Sequence, residues 1–175
     1  MHSQKTSLSH TMEITKIGVV TALYIALTFM VAPVAFGPIQ FRISEILNFL
    51  GLHNRRYIYA LTLGVVIVNM YQFGLIDMVI GGGSTFIFVS LSRVVGEKLV
   101  EWIKPKKIDP LLIKYLTLTV LFSWSMFTIA GMLVVVGAES AFWPVYFSLF
   151  ISELVVLVIG MFIMYPLSKR IDFDK

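Results

Sequence analysis

The chain has 175 residues, 58% of them hydrophobic and 14% charged, with a formal net charge of +4 and a mean hydropathy of +0.88. A water-soluble domain of this length does not carry so much apolar surface, so the composition excludes one and implies an all-helical integral membrane protein. There is no cysteine, which removes disulfides, thiolate metal sites and cysteine nucleophiles, and His2, His10 and His53 are too scattered for metal ligation, so neither a metal nor a cofactor is expected.

Residues 1–12 are polar and read as a flexible tail, residues 13–168 as one membrane domain of six helices, and residues 169–175 as a second tail. The first apolar run lacks an A-x-A-type cleavage site and is read as a retained span from about Glu13 to Pro33. Pro33, Gly37 and Pro38 end it. The second run, Ile43 to Leu52, is short. As an α-helix it would span roughly 15 Å, about half of a hydrocarbon core. The loop before it must then dip below the headgroups, and irregular polar backbone survives at that depth only when buried in protein or lining a wet cavity. The remaining spans run from about Tyr57 to Phe73, Val79 to Ile103, Leu111 to Gly137 and Phe142 to Ser168. Pro105 and Pro110 bracket a linker rich in Lys.

Charge sets an orientation. Lys5, Lys16, Arg55, Arg56, Lys98, Lys104, Lys106, Lys107, Lys114, Lys169, Arg170 and Lys175 fall near loops on one side, whereas the loops at 34–42, 74–78 and 138–141 carry Arg42, Asp77 and Glu139. The positive-inside rule places both termini in the cytoplasm and favours an even number of spans. The basic residues are spread among short membrane loops, which speaks against a nucleic-acid partner.

The densest polar cluster is Gln40, Arg42, Ser44 and Glu45, at the entry to the short run. Arg42 and Glu45, three apart, suit either a mutual ion pair or a ligand site in which Glu45 accepts hydrogen bonds and Arg42 orients the guest. Asn69 and Asp77 follow, and Gly81-Gly82-Gly83-Ser84-Thr85 opens the fourth span, its glycines either a flexible turn or a place where backbone approaches a ligand or a neighbouring helix closely. Glu139, Trp143 and Tyr146 lie near the third outer loop, the aromatics as interfacial anchors or as a stacking wall. Glu153 falls near mid-membrane, where an ionisable group marks a ligand cavity or a structural pair, with Arg93 the candidate partner. Gly18, Ala22 and Ala26, four apart, form a smooth stripe that suits packing within the chain or docking of a partner helix. No enzyme motif and no nucleotide loop is present, so an ATP-driven process would need its motor on another chain.

The stretch Phe36-Gly37-Pro38-Ile39-Gln40-Phe41-Arg42-Ile43-Ser44-Glu45 resembles the signature of the QueT family among the S-components of energy-coupling factor transporters. Further echoes are Ala22-Leu23-Tyr24-Ile25-Ala26-Leu27-Thr28, Leu63-Gly64, Asn69, Asp77 and Gly81, and the likeness covers roughly residues 13–165. The resemblance implies a substrate-binding subunit in a bacterial cell membrane that captures a queuosine precursor, a deazaguanine base such as queuine or its aminomethyl precursor. It also implies a scaffold subunit that meets Ala22 and Ala26, and two cytoplasmic ATPases. Such a base suits Gln40, Arg42, Glu45 and Asn69 along its polar edge, with Asp77, Glu139 or Glu153 for a cationic aminomethyl group. The competing reading is a stand-alone proton-coupled transporter using Glu153 as the carrier.

Overall fold

The computed structural model describes residues 2–37 and 39–174, with side chains from residue 11 onward. Met1, Pro38 and Lys175, and the side chains of Lys5, His2 and His10, lie outside the described residues, so half of the expected Gly-Pro turn and two of the expected basic anchors are not described. The described residues are all helix, turn or loop, with no strand. The helices are α1 (His2–Met30), α2 (Ala32–Ala35), a 3-10 helix (Ile43–Leu52), α3 (Arg55–Gln72), α4 (Leu75–Ile103), α5 (Pro110–Trp124), α6 (Met126–Val135) and α7 (Phe142–Ser168).

Among the described residues, four segments are long and apolar enough to cross a membrane: Thr11–Met30, Leu75–Ile103, Pro110–Val135 and Phe142–Ser168. This is a multi-pass membrane protein. Its outer faces carry Val19 and Leu23 on α1, Ile87 on α4, Val120 on α5 and Phe162 on α7, all exposed, which suits contact with acyl chains. The helix α3 is less apolar because Arg55 and Arg56 stand at one end and Asn69 and Gln72 at the other.

Three boundaries differ from the sequence reading. The helical backbone of α1 begins at His2 rather than Glu13, since no glycine or proline interrupts residues 2–17. The helix α4 begins at Leu75 rather than Val79, because Gly74 at φ +70° makes the whole reversal from α3 by itself. Asp77 therefore stands in the first turn of α4, where a carboxylate complements the helix dipole. Gly81, Gly82 and Gly83 are then helix interior and not a turn. The missing Cβ atoms of Gly81 and Gly82 bring α3 close: a Cβ on Gly82 would meet the Val66 side chain at 2.5 Å. The expected fifth span is one apolar segment, Pro110–Val135, interrupted only at Ser125, whose hydroxyl donates to the Phe122 carbonyl at 2.6 Å.

The short second run keeps its expected limits but is a 3-10 helix throughout its 10 residues. At ~2.0 Å per residue it reaches roughly 20 Å, farther than the α-helical estimate. It contacts α1, α3, α4, α5 and α7, so it is the hub of the bundle. Phe49 stacks on Tyr115 of α5 (4.3 Å between centroids, 10° between planes). Ile46 packs against Gly160 of α7, where an added Cβ would lie 2.9 Å from an Ile46 side-chain carbon and 3.2 Å from its Cα.

The basic loops meet at one end. Arg56 pairs with Glu13 and donates to the Phe173 carbonyl (3.2 Å), Lys169 pairs with Asp109, and Asn54 donates to the Asp174 carbonyl (3.3 Å). The Lys169 ammonium holds the Asp109 carboxyl below its ordinary value, while Asp109 also caps α5 through Leu111 N. Arg93 pairs with Glu97 (3.4 Å) and not with Glu153, because it sits one turn below Glu97 on the same face of α4.

The contact between Ile46 and Gly160 gives a stability prediction. Gly160→Ala forces the hub helix away from α7 and costs about 1–3 kcal/mol, read as a lower unfolding midpoint in detergent. Gly83→Ala, whose new Cβ meets nothing within 4 Å, does not lower it.

Candidate functional site

The polar cluster expected before the short helix is drawn inward. After α2 the chain doubles back, with Phe41 N donating to the Val34 carbonyl (3.1 Å) and Gln40 N to the Gly37 carbonyl (3.0 Å). Gln40 takes φ +48°, a left-handed conformation that a side chain adopts at a cost of ~1–3 kcal/mol. That kink delivers Arg42 and Glu45 to the interior, both buried.

Their partners follow from the 3-10 geometry. With three residues per turn, side chains three apart lie one above another. Asn48 thus sits over Glu45 and donates to its Oε2 at 2.6 Å. Tyr24 of α1, wholly buried, donates its hydroxyl to Glu45 Oε1 at 2.5 Å. Thr28 and Ser44 share a hydrogen bond one turn along (2.6 Å), which fixes α1 against the same edge. Arg42 reaches the other way, donating Nη1 to Asn69 Oδ1 (2.9 Å) and Nη2 to Gln72 Oε1 (2.6 Å), with Gln40 Oε1 farther off at 3.5 Å. Asn69 in turn donates to Asp77 Oδ1 (3.0 Å) and to the Asp77 carbonyl (3.3 Å). Of the two readings of Arg42 and Glu45, the mutual ion pair is not formed: they enter two separate networks, because the short helix points one residue at α3 and the other at α1.

Between these networks lies a cavity of about 30 Å³. Gln40, Arg42, Glu45, Asn69, Gly81, Ser84, Thr85 and Glu153 supply its polar lining, and Val65, Phe122, Met126, Ile129 and Leu149 its apolar lining. Gly81 is required there, since a Cβ would stand 2.0 Å from Asn69 Nδ2. Two residues of the lining carry buried polar atoms without a hydrogen-bond partner, Arg42 Nε and Glu153 Oε1, and further such atoms stand on their neighbours Asn48 (Oδ1), Gln72 (Nε2) and Asp77 (Oδ2). Each such atom costs ~1–3 kcal/mol when left unsatisfied.

The structure gathers five of the expected site residues, Gln40, Arg42, Glu45, Asn69 and Glu153, around the one cavity. Asp77 is buried behind Asn69 and does not line it. Glu139 lies in the loop after Gly137, its amide donating to the Leu133 carbonyl (3.2 Å), also outside the lining. Trp143 is 65% exposed, and Tyr146 stacks on Phe142 in a second apolar cluster with Leu133 and Leu149. The sequence reading missed Tyr24 and Asn48 as partners of Glu45. The Asn48 signal was its spacing of three from Glu45; Tyr24 carried none beyond its place on the first span. Among the described residues, no three His, Asp or Glu side chains converge to hold a metal ion.

The small-residue stripe of α1 points away from all of this. Gly18, Ala22 and Ala26 are exposed, while Val20, Thr21, Tyr24 and Thr28 form the buried face. Packing within the chain therefore does not explain the stripe.

A family model described as QueT transporter matches residues 14–169. The queuosine precursor transporter QueT of Lactococcus lactis subsp. cremoris (strain MG1363) is 38% identical over 170 residues, covering 95% of this chain and 98% of that relative. No solved structure matches. On the extent of both matches, the chain belongs to the QueT transporter family.

Proposed function

We propose that this protein is the substrate-binding subunit of an energy-coupling factor importer, and that it holds a queuosine precursor, a deazaguanine base, in the cavity beside the 3-10 helix. The observation that carries the reading is a cavity inside an apolar bundle whose lining holds buried polar atoms with no partner, Arg42 Nε and Glu153 Oε1. An apolar bundle tolerates that cost when a guest supplies the missing partners. A fused heterocycle offers donors and acceptors along its edge and two apolar faces. Gln40, Arg42, Glu45 and Asn69 address the edge, and Phe122, Met126 and Leu149 address the faces. The name of the Lactococcus relative supports a queuosine precursor as the guest.

The cavity has room for water and not for a fused ring, so binding opens it. Phe122, Met126 and Ile129 flank the break at Ser125, and this wall gives way most easily because no continuous helix ties its two halves. Asp77 acts through Asn69, and Trp143 anchors α7 at the headgroups.

The proposed topology has six spans, with the Gln40 loop re-entrant from the outside and the basic end in the cytoplasm. The partners are a membrane scaffold subunit, docked on the exposed Gly18-Ala22-Ala26 stripe, and two cytoplasmic ATPases.

Titration calorimetry of the purified protein with 7-aminomethyl-7-deazaguanine tests the substrate. Arg42→Ala and Gly81→Ala each weaken binding at least about tenfold, ~1.4 kcal/mol; unchanged affinity in both removes this cavity from the reading. Ala22→Trp abolishes co-purification with the scaffold and leaves binding of the base intact. Reconstituted into vesicles, the protein alone binds the base without sustained uptake, and uptake driven by a proton gradient alone overturns the importer reading in favour of a carrier.

A further inference from the structure

We infer that Glu153 sets the charge selectivity of the cavity, receiving the ammonium of an amine-bearing guest and so favouring a cationic ligand over an uncharged one of the same shape. This rests on the reading of the cavity as the seat of a deazaguanine base.

The argument is one of elimination among the acids. Glu45 lines the cavity, but both its oxygens are engaged, one by Tyr24 and one by Asn48. Asp77 does not line it and one of its oxygens accepts from Asn69. Glu153 also lines the cavity, is 4% exposed, and keeps Oε1 buried with no partner. The charges do not balance either. Two carboxyl groups, those of Glu45 and Glu153, share the lining with one guanidinium, and both Nη atoms of Arg42 donate to the neutral amide oxygens of Asn69 and Gln72. Glu153 is thus the one acid of the lining with no fixed cation or donor of its own on the unpaired side. A buried carboxylate in that state is stabilised most by a partner that brings both a positive charge and N–H donors. The ammonium of an aminomethyl substituent brings both, and a hydroxymethyl group of nearly the same size brings only a donor.

The test measures a ratio of affinities in the full-length protein in detergent, using 7-aminomethyl-7-deazaguanine and its uncharged 7-hydroxymethyl analogue. The wild type binds the aminomethyl base at least about tenfold more tightly, and Glu153→Gln, which keeps the shape and one acceptor oxygen but removes the charge, brings the ratio to about one. A wild type without preference, or a Glu153→Gln variant that keeps the wild-type ratio, overturns this inference alone. A wild type that binds neither base overturns the substrate reading and this inference with it. Should Glu153→Gln bind neither, Glu153→Asp decides: it retains the charge, and a preserved preference supports the assignment while a lost one overturns it.

Discussion

The structure depends on how one carboxylate is held. Glu45 lies on a buried helix among apolar spans, and both its oxygens take short hydrogen bonds from neutral donors, the Tyr24 hydroxyl and the Asn48 amide. Neutral donors satisfy the acid without cancelling its charge. The price is structural: Tyr24 must reach from α1, and it does so only because Gly64 of α3 leaves room, an added Cβ there meeting the ring at 2.9 Å. One acid thus fixes α1, α3 and the hub helix relative to each other, and the cavity inherits its shape from that constraint.

The choice of a 3-10 helix serves the same end. An α-helix would set Asn48 off to the side of Glu45, because 3.6 residues per turn rotate the third residue by about 60°. The tighter winding stacks them and lengthens the segment, so that a run of 10 residues both reaches its neighbours and presents a narrow polar ridge. Long 3-10 segments are poorer in hydrogen-bond geometry, and here contacts with five surrounding helices compensate.

Much of this was legible in the residues. The limits of the short helix and of α7 were read correctly from apolar runs closed by polar or proline-bearing segments, since in a membrane chain hydropathy dominates local preference. The crowding of Gln40, Arg42 and Glu45 marks residues that line one cavity, because polar groups among apolar helices need partners. What escaped was whatever depended on a single turn of backbone. Asp77 reads as loop because a helix start is not marked by hydropathy, yet Gly74 alone completes the turn; of the three glycines, Gly81 and Gly82 are the close approaches to α3. The break at Ser125 carried no proline to announce it. The partners chosen by Arg42 and Glu45 followed from the winding of the short helix, which composition does not reveal.

The segment Phe173–Asp174 is wired to the far side of the hub helix: its carbonyls accept from Arg56 and Asn54, and the Asp174 carboxylate lies 3.8 Å from His53, the residue that ends the 3-10 run. The rod that carries Glu45 is therefore moored at its far end by residues that lie 120 positions further along the chain.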